Sequence, residues 1–121
     1  MKILFVFLLL TAVPASVTDI SGVWKIDGSV ASTPVTPTCT LKQAEAKLSG
    51  SCKFDTEEVS DVSDVTGEAK EKDVTWHFSL KYQGSDYSLT FHGTLDSDTS
   101  MKGSISVDPS VAEGDFTAKK Q

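Results

Sequence analysis

The 121 residues carry seventeen acidic against eleven basic side chains, a net charge of −6, and include no arginine and no asparagine. Cationic side chains supply most of the affinity for nucleic acid and for anionic membranes, so this composition argues against both partners. Without asparagine there is no N-glycosylation sequon, and the length suits one domain with a modest core.

The chain opens with Met1-Lys2, an unbroken apolar run from Ile3 to Leu10, and the small-residue stretch Val13-Pro14-Ala15. This pattern reads as a secretory signal peptide, residues 1–15, too short to span a bilayer as an anchor. No cysteine follows closely, as a lipid-anchored lipoprotein would require, and no second apolar run occurs. The expectation is a soluble secreted or periplasmic domain over residues 16–121, with a net charge of −7 once Lys2 is lost.

Eight strands are expected at about 19–27, 36–44, 47–55, 59–70, 73–82, 87–95, 100–107 and 113–120. Tight turns rich in Gly, Asp, Ser and Lys join most of them, with no amphipathic helical stretch between. Sequential short strands of this kind favour an all-β fold, an eight-stranded antiparallel up-and-down β-barrel that leaves no edge unpaired. A β-sandwich is the alternative. The acid-rich start of the fourth strand, from Glu57 to Asp64, is expected to be bulged or partly loop.

Cys39 and Cys52 fall on the second and third strands, and two cysteines in an exported chain imply one disulfide. A turn at Glu45-Ala46 pairs Gln43 with Leu48, Leu41 with Gly50 and Cys39 with Cys52. The last is a non-hydrogen-bonded pair, where antiparallel strands approach most closely.

The stretch Val74 to Leu95 alternates apolar and polar residues over two runs, the pattern of two half-buried strands. A turn at Gly84-Ser85 would set Tyr82 opposite Tyr87, Leu80 opposite Leu89, Phe78 opposite Phe91 and Trp76 opposite Gly93. A turn at Glu71-Lys72 would set Trp76 opposite Gly67 on its other side. Apolar-x-Gly-x-apolar recurs along the chain, as in Ile20-Ser-Gly-Val-Trp24 and Phe91-His-Gly-Thr-Leu95. Its inward glycines permit the coiling a small barrel needs.

Gly22-Val23-Trp24 resembles the Gly-x-Trp of the calycin superfamily, which groups lipocalins, fatty-acid-binding proteins and avidins. With Leu48-Ser-Gly-Ser51, the opening is closest to the avidin style. The full length is similar to small exported bacterial barrels of unassigned function, through its ISGxW start, TLKQ…KLSG hairpin and GTL…GSI…GDFTAK ending. The resemblance implies a calycin-like barrel. Biotin binding does not carry over, because avidins use several tryptophans and only Trp24 and Trp76 exist here.

No catalytic grouping is legible: neither a Ser-His-Asp arrangement, a phosphate-cradling loop nor a metalloprotease motif occurs, and no cofactor is implied. The expected register would pair His77 with His92 on the outer face, with Glu68 diagonal to them, a trio that invites a metal test. Adjacent exposed histidines are more often simply surface residues on a sheet. Calcium loops are not indicated by the acidic turns, which lack the EF-hand spacing.

The aromatic residues Trp24, Phe54, Trp76, Phe78, Tyr82, Tyr87, Phe91 and Phe116 all take inward positions. They describe either a filled core or a pocket, since an eight-stranded barrel is just wide enough for side chains or one small molecule. The candidate ligand-binding set is Trp24, Trp76, Phe78, Tyr82, Tyr87 and Phe91. A mouth would lie at the end carrying residues 28–35, 83–86 and 108–112, with residues 28–35 as its longest connection. Gln83, Ser85 and Ser110 would add polar groups there. The functional expectation is a non-enzymatic exported module that binds a small hydrophobic ligand or a protein partner. A periplasmic protease-inhibitor-like barrel or a purely structural domain is the alternative.

Overall fold

The computed structural model describes residues 19–57, 59–109 and 111–121. The expected signal peptide, Glu58 and Ser110 lie outside the described residues. Nine strands are present among the described residues: β1 (Gly22–Val30), β2 (Thr33–Val35), β3 (Thr38–Ala44), β4 (Lys47–Lys53), β5 (Val62–Lys70), β6 (Asp73–Tyr82), β7 (Ser85–Ser97), β8 (Ser100–Asp108) and β9 (Ala112–Lys120). From β3 to β9 each strand pairs antiparallel with the next, and β1 pairs with both β3 and β9. The sheet therefore closes into an eight-stranded antiparallel barrel, the expected fold, and the sandwich alternative falls away. No helix among the described residues is long and apolar enough to cross a membrane.

The ninth strand corrects the expectation of a long connection at 28–35. The apolar positions of β1 continue through Ile26 and Val30, past the expected end at 27, and both side chains are buried. The chain then reverses at Ala31-Ser32, with φ of 50° and 69°, and returns as β2. Positive φ at both central residues is the geometry whose twist matches a hairpin. β2 and β3 keep one register against β1, Gly28 facing Val35 and Trp24 facing Cys39. Between them Pro37 still accepts a hydrogen bond from the Ile26 amide at 2.9 Å. They are one strand interrupted at Thr36-Pro37, where proline has no N–H to give a ladder.

A second correction concerns the β6–β7 hairpin. Its turn is Gln83-Gly84, with φ of 52° and 83°, and it pairs Tyr82 with Ser85, Leu80 with Tyr87, Phe78 with Leu89 and Trp76 with Phe91. Val74, rather than Trp76, faces Gly93. The expected register was two residues off. Glycine at the second central position is the stronger primed-turn signal, and a slip of two keeps every residue on its face, so the apolar pattern fits either register.

The other expected turns stand. Glu45-Ala46 sets Cys39 against Cys52, and Glu71-Lys72 sets Gly67 against Trp76. The fourth expected strand begins at Val62 rather than 59, and its register against β4 shifts between Gly50 and Cys52. A Cβ at Gly67 would lie 2.0 Å from the Thr75 carbonyl oxygen and 2.7 Å from the Trp76 Cα. Only glycine lets β5 approach the Trp76 backbone that closely.

The interior of the described barrel buries no polar or charged residue. One end is closed by the segment before β1. Ile20 is fully buried, its amide donates to the Gln43 Oε1 at 2.9 Å, and its carbonyl accepts the Trp24 indole N–H at 2.9 Å. Beside it, the exposed Asp19 carboxylate accepts the Ser21 amide at 2.9 Å. That bond holds the Asp19 pKa below the ordinary carboxylate value.

Candidate functional site: an apolar cavity at the open end

Midway along the axis the barrel is filled by aromatic rings. Trp76 and Phe91 stack with centroids 5.0 Å apart, and Phe116 meets both edge-on at 5.7 and 5.3 Å. Phe78 lies over Phe91 at 5.7 Å, and Phe54 stands edge-on to Phe78 at 6.0 Å. Pairs in these arrangements contribute about 0.5–1.5 kcal/mol each beyond area burial. The Trp76 indole N–H is buried with no hydrogen-bond partner among the described residues.

Above this floor a cavity of about 490 Å³ opens. One part of the wall is the β1–β2 hairpin, through Val30, Pro34 and Val35; beside it stands the β4–β5 connection, through Phe54, Asp55 and Val59. Leu80 and Tyr82 of β6, Tyr87 and Leu89 of β7, Val107 of β8 and Ala112 of β9 complete the lining. Polar atoms come from Thr33, Thr36, Thr56, Asp55 and the two tyrosines. The Thr36 hydroxyl donates to the Asp55 Oδ2 at 3.5 Å, between these neighbouring segments. The volume falls within the usual range of small-ligand sites, roughly 300–1,000 Å³.

The interior is thus filled in one part and open in the other, where the sequence left these as alternatives. Of the candidate ligand-binding residues, Tyr82 and Tyr87 line the cavity. Trp24, Trp76, Phe78 and Phe91 are buried in the packed core and do not line it. Gln83 and Ser85 are exposed on the turn and stand outside the lining.

The expected mouth segments 28–35 and 108–112 contain Val30, Val35 and Ala112 of the lining; sequence reasoning missed Leu80, Leu89 and Val107 as lining residues and the β4–β5 segment after Phe54. A signal for Leu80, Leu89 and Val107 exists. These residues continue the inward parity toward the turns at one end, and they are smaller than the aromatics below them. Residues that shrink toward a barrel end leave space unless loops fold in. Thr56 to Val59 carried no such signal, because an irregular segment has no period.

The histidines are not brought together as expected. The two-residue shift sets His77 between Thr66 and Thr90, and His92 between Thr75 and Ser104. His77 Nε2 is 3.1 Å from the Thr66 hydroxyl, and His92 Nδ1 is 3.5 Å from that of Thr75. Glu68 faces Thr75 across the sheet. No group of three His, Cys, Asp or Glu side chains suited to a metal ion occurs among the described residues. Cys39 and Cys52 form the expected disulfide, with Cα atoms 4.0 Å apart, and it is compatible with an oxidising environment.

Fold and cavity define a closed β-barrel with one packed end and one hollow end. No family model matches the chain, and no curated protein matches it. Among solved structures it is similar to redesigned β-barrels. One is 16% identical, with a TM-score of 0.59 over 84% of this chain and 91% of its own. Another, a redesigned barrel bound to DFHBI, is 14% identical, with a TM-score of 0.57 over 84% of this chain and 94% of its own. At such identities the likeness concerns the fold.

Proposed function

We propose that this protein is an exported, non-enzymatic barrel that takes a small, largely apolar ligand into the cavity above Phe78 and Phe91. The observation that carries the reading is the 490 Å³ space, lined mostly by apolar side chains of the β1–β2 hairpin, the β4–β5 connection and strands β6 to β9. Burying apolar surface yields about 25 cal/mol per Å², and such a space offers it without displacing packed side chains. The redesigned barrel bound to DFHBI supports the reading at the level of architecture: a barrel of this build can hold one small molecule.

Export is supported by the leader-like residues 1–15 and by the Cys39–Cys52 disulfide. A calycin-like character is supported by Trp24, which sits at the closed end of β1 with its indole tied to Ile20. Catalysis is disfavoured because both histidines are exposed on the outer wall, away from the cavity. Titration with the neutral fluorophore N-phenyl-1-naphthylamine tests the reading. Saturable binding with enhanced emission and a raised melting temperature is expected. Absence of both signals would overturn it and move the search for function to the outer surface.

A further inference from the structure

The cavity has a polar end, and its charge is one-sided. Among the described residues Asp55 is the charged one in the lining, and its carboxylate accepts from the Thr36 hydroxyl at 3.5 Å. A carboxylate has room for several donors and offers none when ionised. Around the open end stand Asp55, Glu57, Asp61, Asp86, Asp108 and Glu113, all exposed.

The described lysines nearest that end are Lys53, beside Phe54, and Lys81, whose Nζ is held by Asp86 at 2.9 Å. Most others gather at the opposite end: Lys42 and Lys47 lie either side of the 45–46 turn, Lys70 precedes the 71–72 turn and Lys72 lies in it, and Lys119 and Lys120 end β9. That end also carries Asp19, Glu45, Glu68, Glu71, Asp73, Asp96 and Asp98, so its charges roughly cancel, whereas the mouth holds acids in excess. A cleft rimmed by one sign of charge concentrates ligands of the other sign and repels its own.

Building on the reading of the cavity as a ligand site, we propose that it selects cationic amphiphiles, molecules with an apolar body and a protonated amine at the polar end. The body would lie against Leu80, Leu89 and Val107, and the ammonium would meet the Asp55 carboxylate. Fatty acids, the anionic counterparts, are disfavoured: their carboxylate would face Asp55 with no lining cation to receive it. The tyrosine and threonine hydroxyls can hydrogen-bond a head of either sign and so do not discriminate.

The test is displacement of N-phenyl-1-naphthylamine by n-decylamine, n-decanol and n-decanoate, matched in chain and measured at neutral pH. There the amine is protonated and the acid ionised. The amine should bind about tenfold tighter than the alcohol, and decanoate weaker still, at low ionic strength. That spread should narrow in about 0.5 M salt, where exposed charges are screened beyond about 3–5 Å. Asp55→Asn should lower amine affinity and leave decanol unchanged; Asp55 is exposed, so the variant should keep the wild-type melting temperature.

Decanol binding with no preference for the amine, or with decanoate tightest, would overturn the charge selection and leave the cavity reading intact. Failure of the fluorophore and all three displacers would overturn both. An amine preference that survives Asp55→Asn and Glu113→Gln together would overturn the assignment to the mouth.

Discussion

The indole of Trp76 and the ring of Phe91 lie face to face, 3° from parallel, on directly paired positions of neighbouring strands. Both are fully buried, and the stack forms part of the floor that separates the packed end from the cavity. Trp76→Ala would remove the largest part of that floor, at a cost of about 3–5 kcal/mol. His77→Ala, on the outer face, should stay within about 0.5 kcal/mol. Urea denaturation of both variants decides it: equal losses would contradict the inward and outward assignment of β6.

The β6–β7 turn gives a sharper test of register. Gln83 sits at φ 52° and Gly84 at φ 83°, and asparagine tolerates positive φ better than glutamine does. Gln83→Asn should raise stability by about 0.3–1 kcal/mol, and Gly84→Ala should lower it by about 1 kcal/mol or more. A turn at Gly84-Ser85 would place Gln83 in the strand, where asparagine brings no gain. A thermal melt that leaves Gln83→Asn at or below wild type would therefore count against the observed pairing.

That turn also shows how far the sequence could be read. Alternation in Val74–Tyr82 and Tyr87–Leu95 identified both strands and their faces, because side chains alternate with period two. The same periodicity cannot separate registers two residues apart, so the pairing rested on turn chemistry, and the weaker of two glycine placements was preferred. The disulfide was legible because Glu45-Ala46 left one consistent pairing for Cys39. Of the candidate site, Tyr82, Tyr87, the inward Phe54 and the mouth segments 28–35 and 108–112 were legible. The lining depends on where side chains fail to fill space, which becomes visible only when eight strands are placed together.

The Cys39–Cys52 bridge joins two fully buried positions thirteen residues apart, directly opposite on β3 and β4. Closing a loop of this size contributes about 3 kcal/mol in the chain-entropy model. The Cys39→Ala, Cys52→Ala double variant should lose about that much and should melt like the reduced wild type. Labelling of the unreduced, denatured protein should find no free thiol; two labelled cysteines would contradict the bridge.

The cavity makes the last prediction, since it lies outside the packed floor and can be filled without disturbing it. Val107 and Ala112 line it from β8 and β9, are directly paired, and are both half-buried. A larger side chain at Ala112 would extend into open volume rather than into Phe116 or Ile105, which lie deeper along the same strands. Overpacking a filled core typically costs about 1–3 kcal/mol, whereas filling a void is neutral or stabilising. Ala112→Phe should therefore keep or slightly raise the melting temperature while lowering affinity for N-phenyl-1-naphthylamine by at least about tenfold. Val107→Phe, entering from the paired position, should repeat the result. Stable variants that bind the fluorophore as wild type does would place its site elsewhere on the molecule. A loss of about 1–3 kcal/mol in both variants would show instead that the barrel is already filled in solution at this level, with the β1–β2 hairpin and the β4–β5 segment folded inward over Leu80 and Leu89.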